Sequence, residues 1–500
     1  MPTENVVTQY QNQQNEVISE YNYMVLDTSL KDMIDYKKEF IVVIDKKPFS
    51  LNSFSQFYSN LLTLNYILKE EDSDFSFSDI MASEGKNYFK VSEEAYNKIN
   101  KITNIKGVYT YIKDTKNTSE AWSIGNYLGS VSKEEDYSES SLQNLICKYT
   151  EENNIPKESF ILDESSQYIS LGVENISSNK NLKLTINSEY NDIIKKVLTS
   201  EKYSNINNLG VILMESNTGK IRAMVQKDES EANVNLCVDG IGYEPGSVYK
   251  IITLGAALEE GKVTMNDVFN CTGKVCISDN THGWISVENA LNKSCNDTFA
   301  EIGSKVGYKK LMEYSKNLGL FEKVLDLDEE SRGVKPEKEL GLNNISIGQC
   351  FTVSPLQMLG AVNAIVNDGV YVKPYIIEGL TDKDDNLVES FETDSSQVFS
   401  ETTAKIVKNG MVNVVQNGTG VNAKVDGYVI GGKTGSATSG AGNTVHAWFV
   451  GFFTYEDVQY TMVVFVPNIG ESDENGVELG GGNTAAPIFS DIVENIIKIE

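Results

Sequence analysis

Three short groups of residues could together carry out nucleophilic acyl transfer: Ser247-Val-Tyr-Lys250, Ser294-Cys-Asn296 and Lys433-Thr-Gly435, in that order along the chain. Ser247 and Lys250 are three apart at what reads as a helix start, so they share one face about a turn apart. Serine is a poor nucleophile at its own pKa and needs an adjacent base. A neutral lysine can be that base, and burial and a neighbouring positive charge, here Lys433, both pull a lysine pKa down. Gly246 lets the chain turn sharply, and N–H groups at a helix N-terminus can face a developing oxyanion. Ser294 and Asn296, on a loop or extended segment, can face one cleft. A hydroxyl there can pass a proton to a leaving amine, and an amide can hold both the N–H and the C=O of a peptide. Lys433-Thr434-Gly435 reads as preceding a strand, with the ammonium and hydroxyl able to hold a carboxylate and glycine leaving room at the strand edge. Taken singly, each group has a plainer reading: a helix cap with an exposed lysine, an ordinary turn, a strand-start lysine. Their joint order, with Glu244-Pro-Gly246 ahead of the first and Gly431-Gly432 ahead of the last, singles them out.

The elements that must position them are legible in outline. Leu182, Leu184 and Ile186 alternate as in a half-buried strand, and Asn187 is an N-cap for a helix to Leu198. Val211–Met214, the turn Ser216-Asn-Thr-Gly219 and Ile221–Val225 read as a β-hairpin. Tyr249–Leu258 reads as helix. His446–Phe453 and Tyr460–Val466 form a second hairpin around Tyr455-Glu-Asp457, and a final helix follows Pro487. Strands at both ends with helices between them predict one α/β domain over residues 171–500. Residues 1–170 are polar and tyrosine-rich, with strand-like runs at Phe40–Ile44 and Val108–Ile112 and helix-like ones at Ser92–Ile102 and Ser141–Asn153. Loop-like stretches at Asn154–Pro156 and Asn175–Asn181 place the boundary near 155–180.

A chain of 500 residues is long enough for two or three domains, and 40% hydrophobic with 23% charged residues is a globular composition. The net charge of −28 argues against a phosphate-backbone binder, so no nucleic-acid partner is expected. No run of about 18 apolar residues is present, and Met1-Pro-Thr-Glu-Asn lacks the basic and apolar stretches of a signal peptide. Six dispersed cysteines are too few for a disulfide scaffold.

With these residues in place, positions 171–500 resemble the transpeptidase domain of class B penicillin-binding proteins. Besides the three groups, Ser346-Ile-Gly-Gln349 with Ser354-Pro-Leu-Gln357 resembles the family's S-I-G-Q-G…T-P-L-Q segment. Gly410-Met-Val412 with Asn417-Gly-Thr-Gly420 resembles its G-M…G-T-G segment, and His446-Ala-Trp-Phe449 with Gly451-Phe452 its H-A-W-F-x-G-F. Ser436 stands where the family has threonine and keeps the hydroxyl; Cys350 stands where it usually has glycine. The resemblance implies the serine β-lactamase and penicillin-binding transpeptidase fold, an antiparallel sheet with helices on both sides, plus an elongated N-terminal pedestal over residues 1–170. It implies a D,D-transpeptidase in which Ser247 attacks the penultimate D-Ala carbonyl of a peptidoglycan stem peptide and a second stem peptide's amine takes the acyl group. Lys250 would be general base, Ser294 proton relay and Asn296 a peptide anchor. Lys433, Thr434, Gly435 and Ser436 would hold the carboxylate end. The backbone N–H groups of Ser247 and Ser436 would form the oxyanion hole, and β-lactams would acylate Ser247. A β-lactamase is the nearest rival, but its E-x-x-L-N motif is only approached by Glu337-Lys-Glu-Leu340, with Gly341 in place of the asparagine. A non-catalytic β-lactam sensor is the other.

Cys271-x4-Cys276-x5-His282-x12-Cys295 supplies four soft or borderline ligands at zinc-like spacing, with Asp279 able to replace one thiolate. The alternatives are a Cys271–Cys276 disulfide or plain buried thiols. Some elongation-type penicillin-binding proteins carry a similar zinc site, and a cysteine inside the second motif is also common in the family without metal. Zinc here would be structural; the chemistry itself needs no cofactor. Gly125-Asn-Tyr-Leu-Gly129 resembles a short segment ahead of the family's catalytic domain. Because the substrate lies outside the cytoplasm, the expectation is a protein on the extracytoplasmic face of the membrane. It would be held there by an N-terminal anchor that this sequence does not include, beside a membrane glycan polymerase.

Overall fold

The computed structural model describes residues 13–34, 36–116, 148–174, 176–227, 236–237, 242–276, 281–326, 330–338, 341–438, 444–473 and 476–499. The first expected hairpin forms from Gly210–Glu215 (β1) and Ile221–Gln226 (β2). Its turn rests on Gly219 at φ +76°, a conformation that costs glycine little and most side chains more. Gly431–Thr438 (β3), Thr444–Tyr455 (β4) and Val458–Gly470 (β5) complete a five-stranded sheet of order β2-β1-β5-β4-β3, antiparallel throughout. Each strand's period of two divides its side chains between two cores: Ile212 and Met214 face one, Val211 and Leu213 the other.

Among the described residues, Ser188–Leu198 (α1), Lys250–Glu259 (α2), Pro355–Val366 (α4), Glu401–Asn417 (α5) and Ala486–Ile496 (α6) are arranged around this sheet, and Asn296–Val306 (α3) packs on α2. Helices α1 and α6 cover one face; α2, α4 and most of α5 bury theirs against the other. The expected sheet with helices on both sides is the observed architecture. Local caps explain the helix starts: Asn187 accepts from the N–H groups of Glu189 and Tyr190, and Ser354 with Gln357 forms a capping box ahead of α4. The last helix begins at Ala486, one residue before Pro487, because proline is tolerated in a first turn whose N–H groups have no intrahelical partner.

Two expectations shift. Lys433-Thr-Gly435 does not precede a strand but lies inside β3, since the flanking glycines, poor strand formers by themselves, are paired to Gly451 and Phe452 of β4. Between the loop-like stretches at 154–156 and 175–181, the chain forms strands Lys157–Leu162 and Tyr168–Val173, which pair with each other, and Lys157–Leu162 also pairs with Gln14–Val17. Upstream, Tyr36–Asp45 is the centre of a second three-stranded sheet with Lys86–Val91 and Val108–Lys116. Its inner face packs on Phe54–Glu71 and Glu93–Ile99 around a core of its own. Val25–Leu26 runs parallel to Asn181–Leu184, which pairs antiparallel with Ile377–Thr381. Most of the helix expected at Ser141–Asn153, and all of Gly125–Gly129, lie outside the described residues. Among the described residues no helix is long and apolar enough to cross a membrane.

Candidate active site

Ser247 sits in a single 3₁₀ turn, Gly246–Tyr249, that leads directly into α2. The turn is fixed from both sides by glycines. Gly246 holds φ +54°, donates its N–H to the Gly348 carbonyl at 2.9 Å, and lies where a Cβ would come 2.9 Å from the Ser436 carbonyl oxygen. Gly348, at φ +85°, lies where a Cβ would overlap the Gly246 carbonyl. The serine-bearing turn is therefore clamped between the Ser346–Gln349 segment and β3 with no room for a methyl group. A Cβ on Gly435 would likewise come 2.8 Å from the Pro245 carbonyl oxygen. Ser247 is half-buried, while Val248, Tyr249 and Lys250 behind it are fully buried.

Lys250 reaches across to the second motif. Its Nζ donates to the Ser294 carbonyl at 2.6 Å, to Ser294 Oγ at 3.1 Å and to Asn296 Oδ1 at 2.6 Å. Ser294 makes this possible by adopting φ +55°, a left-handed conformation that costs a non-glycine residue about 1–2 kcal/mol. The kink aims both its carbonyl and its hydroxyl at the lysine and lets α3 begin at Asn296. From the other side, Lys433 Nζ donates to the same Ser294 Oγ at 3.0 Å and to the Thr434 carbonyl at 3.0 Å. Thr434 Oγ1 is 2.7 Å from Thr419 Oγ1, and Ser436 Oγ accepts the Gly481 N–H at 3.1 Å.

Both lysines are fully buried, and burying an ammonium penalises its charged form. Burial pulls the Lys250 pKa down to about 7, against an opposing pull from Cys295 and Cys276. Burial also pulls Lys433 well down, and the charge of Lys250 lowers it further. Each ammonium charge thus disfavours the other, and an anion between them would favour both. A half-exposed hydroxyl on a rigid turn and a base neutral near pH 7 have the parts needed for nucleophilic catalysis. The second hydroxyl, shared by two lysines, adds a route for moving a proton.

The four proposed metal ligands also converge. One ligand atom from each of Cys271, Cys276, His282 and Cys295 lies within 4.8 Å of the others. Cys276 Sγ is 3.8 Å from Cys295 Sγ and Cys271 Sγ is 3.5 Å from His282 Nδ1. Those are close to the edges of a tetrahedron with Zn–S of about 2.3 Å and Zn–N of about 2.0 Å. The cysteines are free, so the Cys271–Cys276 disulfide is not formed. The Asn296 N–H points at Cys276 Sγ and the Thr298 hydroxyl at Cys295 Sγ, each at 3.2 Å, donors that suit thiolates. Burial pushes Cys276 up and Cys295 up to about 12, so a metal would have to displace their protons. Asp279 lies outside the described residues.

Sequence reasoning passed over Asp297. Its carboxylate accepts from five consecutive backbone N–H groups, Thr272 to Cys276, at 2.5–3.2 Å. Burial pushes its pKa up, but these donors outweigh it and hold the group at about 2. It ties the Cys271–Cys276 loop to the first turn of α3, next to Asn296. The available hint was an acidic residue in a helix's first turn directly after the motif. Thr419, whose Oγ1 meets that of Thr434, stands out in the sequence only as part of the segment Asn417-Gly-Thr-Gly420.

The penicillin binding protein transpeptidase domain matches residues 209–494. Stage V sporulation protein D of Bacillus subtilis is 33% identical over 349 residues, covering 63% of this chain and 53% of that protein. The peptidoglycan D,D-transpeptidase FtsI homolog of Mesostigma viride is 28% identical over 346 residues, covering 58% of this chain and 56% of that one. The chain thus spans about half the length of the curated relatives it matches. The crystal structure of a peptidoglycan synthetase from Bifidobacterium adolescentis superposes with a TM-score of 0.67 at 18% identity. That match covers 97% of this chain and 96% of the other, so the likeness of fold extends beyond the catalytic region.

Proposed function

We propose, from the premise that the chain belongs to the penicillin-binding protein transpeptidase family, that it is a serine D,D-transpeptidase cross-linking peptidoglycan stem peptides. The observation that carries this reading is the convergence of two buried lysines on Ser294 Oγ beside the clamped Ser247 turn. Ser247 Oγ attacks the penultimate D-Ala carbonyl as neutral Lys250 takes its proton. The tetrahedral oxyanion faces the backbone N–H groups of Ser247 and Ser436. Ser294 relays the proton to the departing D-Ala amine, and the C–N bond breaks to leave an acyl ester on Ser247. The amine of a second stem peptide then attacks the ester, closing the cross-link and freeing Ser247. Asn296 holds the donor peptide once Lys250 yields its amide. The negative charge of the substrate's terminal carboxylate favours the ammonium form of Lys433, and the carboxylate is held there with Thr434, Gly435 and Ser436. β-Lactams enter as D-Ala-D-Ala mimics and acylate the same serine.

The test is intact mass after incubation with a penicillin, for the wild type and Ser247→Ala. A lasting drug adduct that Ser247→Ala abolishes is the expected result. Rapid adduct loss with hydrolysed drug accumulating would make the protein a β-lactamase. An adduct without cross-linking of synthetic stem peptides would make it a sensor.

The reading includes a structural zinc ion on Cys271, Cys276, His282 and Cys295, which would pin the loop carrying Ser294 and Asn296; the chemistry needs no cofactor. Its support is the tetrahedral fit of the four ligand atoms. Elemental analysis of the purified protein should give one zinc per chain, lost in Cys271→Ser. The division into a pedestal of residues 1–170 and a catalytic unit of 171–500 belongs to the same reading. So does an extracytoplasmic location through an N-terminal anchor, beside a membrane glycan polymerase. Fractionation of the native protein should recover it with membranes.

A further inference from the structure

Cys350 holds φ +65°, a left-handed conformation that glycine takes at little cost and a cysteine has to be held in. Its N–H donates to Glu244 Oε1 at 2.8 Å. Glu244 is half-buried, and burial pushes its carboxyl pKa up against the downward pull of that N–H. The bond joins two segments that meet at the nucleophile: residues 243–253, which carry Ser247, and residues 346–353, which lie against them. Four further bonds stitch the same pair, and all four end on backbone carbonyls. Tyr243 and Val353 exchange N–H and C=O at 2.8 and 2.9 Å, Gly246 donates to the Gly348 carbonyl at 2.9 Å, and the Thr253 hydroxyl donates to the Ser346 carbonyl at 2.8 Å. Between Gly348 and Val353, the strained Cys350 is the point at which the second segment can slip. The residues on either side of it both touch the serine turn. Gly348 closes on Gly246 with no room for a Cβ, and Phe351 packs edge-on against Tyr249 at a centroid distance of 4.8 Å.

We infer that Glu244 is a positioning residue for Ser247: by holding the Cys350 N–H it fixes the left-handed turn at 350, and through Gly348 and Phe351 it fixes the turn that carries the nucleophile. Its action runs through the backbone of the neighbouring segment and not through the reacting atoms. A hydrogen bond to a carboxylate is stronger than one between neutral groups, which suits it to holding a residue against its own backbone preference. The consequence for acylation rests on the transpeptidase reading; the bracing of the turn does not.

The test compares the full chain with its variants Glu244→Ala, Glu244→Gln, Cys350→Gly and the double variant Glu244→Ala/Cys350→Gly, by two readouts. One is acylation by a penicillin, resolved into drug affinity and acylation rate constant. The other is amide hydrogen exchange at Gly246, whose N–H closes the clamp, read by fragmentation mass spectrometry. Glu244→Ala should lower the rate constant about ten- to a hundredfold and leave the affinity unchanged. It should also speed exchange at Gly246 about tenfold. Glu244→Gln keeps an oxygen that can accept the Cys350 N–H and should stay near the wild type in both. Cys350→Gly should do the same. In the double variant, glycine takes the left-handed conformation unaided and should restore most of both losses. A loss of general stability at Glu244 would not be rescued by a change at 350. The inference is overturned if Glu244→Ala acylates and exchanges like the wild type, if the double variant is as impaired as Glu244→Ala, or if Glu244→Gln is as impaired as Glu244→Ala. A wild type that takes up no penicillin would sink the proposed function, and exchange at Gly246 would then decide the inference alone.

Discussion

At the scale of single residues, the site turns on the protonation of Lys250. A lysine whose pKa is pulled by burial from its usual value to about 7 is charged below that pH and neutral above it. Only the neutral form can take the Ser247 proton. The rate of acylation by a penicillin should therefore climb as pH rises through about 7 and fall away below it. Stopped-flow acylation across pH 5.5–9 reads this limb directly, and a flat profile would remove Lys250 from the role of base. Asn296 supplies a second check, because its Oδ1 accepts from Lys250 at 2.6 Å. Asn296→Asp puts a negative charge at that distance, which favours the ammonium. The midpoint should move upward by about one pH unit or more, with acylation at neutral pH falling accordingly. The spacing of Ser247 and Lys250 was readable from the chain, because three residues on a helix start can only share a face. That Lys250 would spend its hydrogen bonds on the Ser294–Asn296 segment was not. That contact depends on Ser294 adopting φ +55°, which no serine signals by its type.

At the scale of elements, short contacts between backbones do the positioning, and these are least visible in sequence. Hairpins, the α1 cap and the strand at 40–44 follow from local chemistry, and they form as read. The burial of Lys433-Thr-Gly435 inside β3 follows instead from pairing with a strand that comes later in the chain. The five-donor grip of Asp297 likewise depends on a loop folding back from 21–25 residues away. Gly348→Ala tests the clamp. Its Cβ would overlap the Gly246 carbonyl and its φ of +85° resists any side chain, so the Ser247 turn must shift. A displacement of about 1 Å at the nucleophile costs on the order of 10²-fold in rate. Acylation should fall by that much while circular dichroism stays native. Asp297→Ala should act differently. Losing a partner for five N–H groups should destabilise the fold by about 2–4 kcal/mol, read as a lower midpoint in urea. If zinc is held as proposed, its affinity should fall with it.

At the scale of the whole molecule, the core that holds Ser247 is not built from the catalytic stretch alone. Tyr23, Val25 and Ile34 are buried in the same cluster as Leu182, Leu184, Ile251 and Leu254, and Val25–Leu26 closes the edge of the sheet formed by Asn181–Leu184 and Ile377–Thr381. The boundary expected at 170/171 also falls within the strand Tyr168–Val173, which hydrogen-bonds to Lys157–Leu162. Composition gives no warning of this, because a two-residue parallel pairing over some 150 positions leaves no periodic trace. The helices at 54–71 and 93–99 and their sheet, by contrast, have a core of their own. A chain beginning at 171 would expose Leu182 and Leu184 and open a sheet edge. Each large apolar side chain moved back to water costs about 1.5–3 kcal/mol. The ordering entropy of the covering segment offsets most of that, so the shortened chain should be less stable by about one such side chain's worth, about 1.5–3 kcal/mol. Its thermal midpoint should lie about 2–4 °C below that of the full chain, with a greater tendency to associate through the opened edge. Adding back only residues 13–34, as a fused segment, should recover most of that difference, since those residues supply the missing strand and apolar contacts. Scanning calorimetry of the three chains decides it. A shortened chain as stable as the full one would mean that the 25–34 contacts contribute nothing net and that the catalytic stretch folds without its neighbour.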